Sequence, residues 1–124
     1  MKNLEHLEQV ALIKWASFQN IPHTNIKIND FLAAIPNGGN RNVITGSMLK
    51  SEGVKRGFPD LFFCYPKGKY HGLFIELKAP VKSARVSEFQ KEWLSKLADV
   101  GYKTSVCYGF EQARQMILDY LCEV

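Results

Sequence analysis

The fold is decided by residues 59–78, which read PDLFFCYPKGKYHGLFIELK. Two apolar runs, DLFFCY and HGLFIELK, flank the turn PKGK, and this spacing is typical of a β-hairpin. Pro59 fixes its own φ and so predicts an extended entry to the first strand. The hairpin is therefore expected to form the centre of a sheet.

Three charged side chains meet at the open end of this hairpin. With Gly68 at the apex, Asp60 falls opposite Glu76. Lys78 shares the face of Glu76 because strand side chains alternate with a period of two. Carboxylates beside a buried sheet are costly unless they are paired or bound to metal. The group therefore indicates a functional site, and ion pairs of Lys78 with Asp60 or Glu76 are the structural alternative.

The rest of the chain supplies helices and strands on both sides of the hairpin. Apolar periodicity predicts helices over residues 4–20, 45–52, 87–100 and 111–121 and further strands over 30–36 and 104–108. The order α-β-α-β-β-α-β-α predicts an α/β fold with a mixed β-sheet flanked by helices. We expect one domain, residues 1–124. The inward stripe of the first helix is expected to be Leu4, Leu7, Ala11, Trp15 and Phe18.

Composition excludes several classes of protein. The chain has 124 residues, 46% of them hydrophobic and 23% charged, which is ordinary for a globular domain. No apolar run approaches the roughly 20 residues of a membrane span, and the N-terminus lacks a signal-type apolar region. We expect a cytoplasmic, intracellular protein that is not secreted. The cysteines, which show no C-x-x-C spacing, are expected to be buried reduced thiols: Cys64, Cys107 and Cys122.

Positive charge is concentrated in the middle of the chain. Between Arg41 and Lys91 there are ten basic and four acidic residues, against a net charge of +4 for the whole chain. This pattern favours a polyanionic partner, with nucleic acid first, although a solvated lysine surface gives the same pattern. The candidate DNA contacts are Arg41, Lys50, Lys55, Arg56, Lys82 and Arg85.

The charged group at the hairpin suits phosphodiester hydrolysis. Two carboxylates and a backbone carbonyl form a hard oxygen site of the kind that Mg²⁺ prefers. A lysine ammonium beside it can stabilise negative charge as the phosphorus is attacked. A third carboxylate from the first helix would complete the shell, with Glu8 as the candidate and Glu5, one turn earlier, as the fallback.

Longer segments carry a family resemblance. They read EQVALIKW (8–15), IPNGGNR (35–41), LKSEGVKRGFPD (49–60), GLFIELK (72–78) and VSEFQKEW (86–93). In this order they resemble the virus-type replication-repair nuclease (VRR-NUC) family of the PD-(D/E)xK nuclease superfamily. The resemblance implies a restriction-endonuclease-like core and an endodeoxyribonuclease dependent on Mg²⁺ or Mn²⁺, with no organic cofactor and no membrane partner.

The resemblance also assigns roles by position. It implies metal binding by Glu8, Asp60, Glu76 and the carbonyl of Leu77, and catalysis by these side chains together with Lys78 and Gln90. Gln90 has an alternative role, because Ser87-x-x-Gln90 fits a capping box. Residues 79–85 depart from the glycine-rich basic sequence of many relatives, which leaves substrate preference open.

Compact relatives resemble Holliday-junction resolvases, so branched DNA is the expected substrate. Flaps, nicks or plain duplex, or a non-catalytic DNA-binding role, are the alternatives. A four-way junction needs two matched cuts, which predicts a two-fold homodimer. We expect its interface at or near the hairpin, because one sheet face and two helix layers are not expected to bury all six nearby aromatics: Phe58, Phe62, Phe63, Tyr65, Tyr70 and Phe74.

Overall fold

The structure, a computed structural model, describes residues 2–36 and 43–124. A mixed four-stranded sheet runs in the order β1-β2-β3-β4, antiparallel except for the parallel β3–β4 pair. Helices flank it, which confirms the predicted fold class. The elements are α1 Lys2–Ala16, a 3₁₀ turn Ile28–Phe31, β1 Leu32–Ala34, α2 Val43–Ser51, β2 Leu61–Phe63, β3 Leu73–Lys78, α3 Glu88–Asp99, β4 Lys103–Tyr108 and α4 Phe110–Tyr120.

The hairpin has the register that its turn predicts. Leu61 pairs with Ile75 and Phe63 with Leu73, so the next position places Asp60 opposite Glu76. Gly68 in the turn has a φ of 57°, a left-handed conformation that glycine adopts without steric cost.

The two faces of β3 serve different purposes. Leu73, Ile75 and Leu77 belong to the buried core beneath α1 and α4. The alternating residues Phe74 and Glu76 face the other side, where Glu76 bonds to the first turn of α3. The sheet therefore carries an apolar core on one face and brings its buried charge towards α3 on the other.

Helix α1 is shorter than predicted and rotated relative to the predicted stripe. It ends at Ala16, and Leu12 and Ala16 are fully buried. Leu7 is 59% exposed and Phe18 70% exposed, so their predicted inward placement was wrong. The cause is tertiary: α1 packs against both α4 and the 3₁₀ turn, which selects an inward face that includes smaller residues.

Other element ends agree with local sequence signals only in part. Helix α2 runs from Val43 to Ser51, so it begins two residues before the predicted start at 45 and ends one residue before the predicted end at 52. Gly53, with φ of 99°, follows its last turn, and the Val54 amide bonds to the Leu49 carbonyl at 3.0 Å. The strand predicted over residues 30–36 is reduced to β1, and residues 37–41 of the IPNGGNR segment lie outside the described residues.

The hairpin aromatics are used inside the domain. Phe62 stacks on Phe74 with ring centroids 4.2 Å apart, and Phe58 meets Trp93 of α3 at 5.0 Å. All six aromatics of the hairpin region are buried or half-buried. Only Phe63 and Phe74 are buried, so the expectation that the domain does not bury all six is confirmed, and the interface at the hairpin stays a prediction.

The cysteines are free, and only Cys107 is buried. Cys64 and Cys122 are exposed, so the prediction of burial was wrong for these two. In the described ranges, no helix is long and apolar enough to cross a lipid bilayer.

Candidate active site

Asp60, Glu76 and Lys78 come together where β2 begins and β3 ends. Asp60 is held by the amide of Leu77, which donates to its Oδ2 at 2.8 Å. Glu76 is 2% exposed, and Lys78 Nζ lies 3.9 Å from its Oε2. The hairpin register and the strand alternation thus build the arrangement expected from the sequence. Leu77 enters it through its amide, while the role predicted for its carbonyl stays a prediction.

Gln90 joins α3 to this group. Its Nε2 donates to Glu76 Oε2 at 2.8 Å, and its Oε1 accepts from the Ser87 amide at 2.8 Å. The Ser87 hydroxyl in turn accepts from the Gln90 amide at 3.1 Å, so the predicted capping box is present. One residue therefore both caps α3 and fixes the orientation of the buried Glu76 carboxylate.

The other oxygen of Glu76 has no donor. Oε1 is buried without a hydrogen-bond partner in the described part of the chain, which is a costly state for a carboxylate. Burial and the facing Asp60 carboxylate raise the pKa of Glu76 to about 9, although Lys78 opposes the shift. At neutral pH, Asp60 and Glu76 therefore hold a proton between them unless a cation replaces it.

Helix α1 brings Glu5 towards this group and directs Glu8 elsewhere. Burial and the Asp60 carboxylate raise the pKa of Glu5, while Lys78 and the Ala79 amide stabilise its charged form. Glu8 Oε1 instead accepts from the Phe110 amide at 2.7 Å, at the start of α4. The structure points to Glu5, the fallback in the sequence, as the third carboxylate facing Asp60.

The donor set suits a cation such as Mg²⁺ or Mn²⁺ that keeps some of its bound waters. It does not suit a metal whose ligands are all protein side chains. Across residues 2–36 and 43–124, no group of three or more His, Cys, Asp and Glu side chains is arranged to hold a metal. Mg²⁺ usually retains waters and takes one or two carboxylates together with substrate phosphates. Asp60 and Glu76, with its donorless buried oxygen, match that pattern.

The basic residues predicted to contact DNA lie on the surface wherever the structure describes them. Lys50, Lys55, Arg56, Lys82 and Arg85 are exposed, and Arg41 lies outside the described residues. Arg56 rests 4.3 Å over the ring of Phe89. The Arg85 guanidinium bonds to the carbonyls of Lys82 and Ala84. These contacts limit the freedom of the two guanidinium groups.

A shallow cavity of about 430 Å³ lies beyond the end of β3. Tyr108, which pairs with Lys78 across the parallel strands, lines it together with Gln112, Pro80, Val81, Lys82, Ala84 and Arg85. Lys82 and Arg85 give this cavity a positive rim beside the end of β3.

A domain model of the VRR-NUC family matches residues 3–111. The chain belongs to the VRR-NUC family. A solved structure described as "VRR_NUC domain protein" is 29% identical, with a TM-score of 0.82 over 94% of this chain and 87% of that chain. No curated protein sequence matches this chain significantly. Membership of the VRR-NUC family implies a nuclease-type function and, with it, binding of DNA.

Sequence reasoning placed Glu8, and not Glu5, first in this VRR-NUC site. The two residues are three positions apart and share one side of α1, so composition and spacing do not separate them. The structure separates them at Gly109, where a Cβ would lie 2.9 Å from Glu8 Oε1. A missing side chain at the start of α4 leaves room for a carboxylate from another helix.

Proposed function

We propose that this chain is a divalent-metal-dependent DNA endonuclease that hydrolyses phosphodiester bonds in branched DNA, four-way junctions above all. The observation that carries the metal dependence is the buried Glu76 oxygen, which has no donor in the described residues and faces Asp60. A cation between these carboxylates would displace the shared proton and compensate their buried charge.

The roles follow from position and charge. Asp60 and Glu76 are the proposed metal carboxylates, with Glu5 of α1 as a third that would join them when a metal binds, and Gln90 holds Glu76 in orientation. Bound Mg²⁺ would polarise the scissile phosphate and lower the pKa of an attacking water. Lys78, 14% exposed at the end of β3, is placed to stabilise charge that develops on the phosphate.

A cation add-back experiment tests the proposal. Purified protein is treated with EDTA, exchanged into metal-free buffer and mixed with labelled four-way junction, flap, nicked and linear duplex DNA. Cleavage that appears only on addition of Mg²⁺ or Mn²⁺, with paired symmetric cuts in the junction, is the expected result. Cleavage of flaps or nicks alone would overturn the junction preference, and salt-dependent binding without any cleavage would overturn the enzyme.

The affinity for DNA should fall steeply with salt concentration. Each phosphate contact releases about 0.9 counterion on binding duplex DNA. Replacing both Lys55 and Arg56 by alanine should therefore flatten the slope of log affinity against log salt by about 1.8. Fluorescence anisotropy at several salt concentrations measures the slope.

The hairpin tip offers a matched control for this measurement. Lys67 and Lys69 carry the same charge at the end of the hairpin opposite Asp60. Their double alanine variant should leave the slope unchanged. Equal slopes for wild-type protein and the Lys55/Arg56 variant would place the DNA on another surface.

We also propose a two-fold homodimer, because resolving a junction needs two matched cuts and this chain supplies one proposed site. Light scattering at micromolar concentration without DNA should give about twice the chain mass of 14.1 kDa. A mass equal to one chain would contradict a preformed dimer and favour substrates that need a single cut. Substitutions in the packed hairpin aromatics are not suitable probes of the interface, since they would open the core.

A further inference from the structure

Helix α4 begins without a cap from its own sequence. Its N-cap residue, Gly109, has φ of 94° and no side chain to accept a bond from the first turn. The unpaired amides at a helix start normally need such an acceptor. Here Glu8, 102 positions earlier in the chain, supplies it by accepting from the Phe110 amide at 2.7 Å.

This contact lies next to the proposed catalytic lysine. The Gly109 amide donates to the Lys78 carbonyl at 2.9 Å, and the very next amide, that of Phe110, donates to Glu8. Any Cβ at position 109 would approach Glu8 Oε1 to 2.9 Å and Pro80 to 3.1 Å. The chain is thus built so that the Glu8 carboxylate sits against the backbone where β4 turns into α4.

The same contact fixes the orientation of α1. Residues three apart lie on one side of a helix, so anchoring Glu8 at α4 directs Glu5 towards the Ala79 amide and the Asp60 carboxylate. Helix α1 also packs on β3 and α4, and its Leu12 and Ala16 belong to the apolar core. The Glu8 contact is directional, and a carboxylate at a helix N-terminus gains from the helix dipole.

We propose that Glu8 is a positioning residue: it holds α1 against the start of α4 so that Glu5 faces Asp60, and it is not itself a metal ligand. The proposal rests on the proposed function, in which Glu5 belongs to the metal site. The two roles make different demands on the side chain at position 8. The contact with the Phe110 amide needs an acceptor oxygen at the distance that a glutamate side chain spans, whereas a metal ligand needs the negative charge.

Two single substitutions separate these requirements. Glu8→Gln keeps the acceptor at the same reach without charge, and Glu8→Asp keeps the charge but shortens the reach. We expect Glu8→Gln to stay within about threefold of wild type in Mg²⁺ affinity and kcat. Glu8→Asp should lose on the order of 10-fold to 100-fold in one or both, as removal of a supporting contact to a metal site does. Glu5→Gln serves as the reference variant, because it shows how far Mg²⁺ affinity and kcat fall when a proposed metal ligand is lost.

Calorimetry with Mg²⁺ and single-turnover cleavage measure these effects. Glu111→Ala is the control, since Glu111 is an exposed acid in the first turn of α4 that pairs with Arg114 instead of Phe110. Equal loss of Mg²⁺ affinity in Glu8→Gln and Glu5→Gln would make Glu8 a ligand and overturn the proposal. Wild-type behaviour of Glu8→Asp would overturn it as well.

Hydrogen exchange keeps the proposal distinct from the proposed function. In metal-free protein, the Phe110 amide should be protected in wild type and Glu8→Gln and should exchange faster in Glu8→Asp. That pattern with no cleavage by any variant would reject the nuclease assignment while leaving the Glu8 contact supported. Unchanged protection in Glu8→Asp would refute the contact itself, whatever the activity.

Discussion

Glu76→Gln is expected to abolish DNA cleavage while making the metal-free protein more stable at pH 8. The substitution keeps the side-chain shape and an oxygen that accepts from Gln90, which bonds to Glu76 at 2.8 Å. It removes one of the three carboxylates proposed to hold the metal. We expect a rate loss of at least about 1,000-fold, equivalent to roughly 4 kcal/mol of transition-state stabilisation.

The gain in stability follows from linkage. The folded-state pKa of Glu76 is raised to about 9 from the ordinary value of 4.5, so the folded protein binds a proton that the unfolded chain releases between these pH values. The stability that the neutral carboxyl contributes is complete below about pH 4.5 and is lost progressively as the pH rises towards 9. The glutamine amide of the variant does not ionise, so the variant does not lose this stability as the pH rises.

Thermal melts in EDTA at pH 5 and pH 8 measure this effect. The melting temperature of Glu76→Gln should exceed that of wild type at pH 8, and the difference should shrink towards pH 5. Asp60→Asn is the matched control for activity, since its amide oxygen still accepts from Leu77. Cleavage at the wild-type rate in either variant would remove both residues from the active site.

The same linkage gives the metal affinity a pH dependence. Because Asp60 and Glu76 hold a proton at neutral pH, binding of Mg²⁺ must release it. Affinity should therefore rise with pH up to about 9, the pKa to which Glu76 is raised. Calorimetry in buffers of different ionisation enthalpy counts the proton released.

The sequence predicted the features that local interactions determine and missed those that tertiary packing determines. The hairpin register follows from strand alternation and from the turn at Gly68, so the sequence correctly placed Asp60 opposite Glu76. The Ser87–Gln90 capping box is also local and was predicted. What α1 presents to the sheet is set by its packing against α4, where one residue of error rotates the helix by about 100°. That is why the sequence put Leu7 inside.

The packing of the hairpin aromatics was not predictable for a related reason. Counting apolar side chains overlooks that rings interlock edge to face across elements distant in sequence. Phe58, from the loop before β2, lies between Phe74 of β3 and Trp93 of α3 at 5.5 Å and 5.0 Å. Such packing depends on tertiary contacts, so the sequence predicted that not all six rings are buried but not which of them pack together.

The second large effect is expected from Lys78→Met, which should lower the cleavage rate by about 100-fold or more while Mg²⁺ still binds. Methionine fills a similar apolar volume at the end of β3 but supplies no ammonium to stabilise charge on the phosphate. Single-turnover kinetics and calorimetry measure the two properties separately.

Lys78→Met also changes the Mg²⁺ affinity of the protein through the pKa of Glu76. Lys78, 3.9 Å from Glu76 Oε2, lowers the pKa of that carboxyl, so its removal raises the pKa further and weakens Mg²⁺ binding near neutral pH. Rates are therefore compared at Mg²⁺ concentrations that saturate both proteins. A rate restored to wild type at saturating Mg²⁺ would mean that Lys78 acts only by tuning Glu76. A persistent rate loss under those conditions would assign the ammonium to the reacting phosphate.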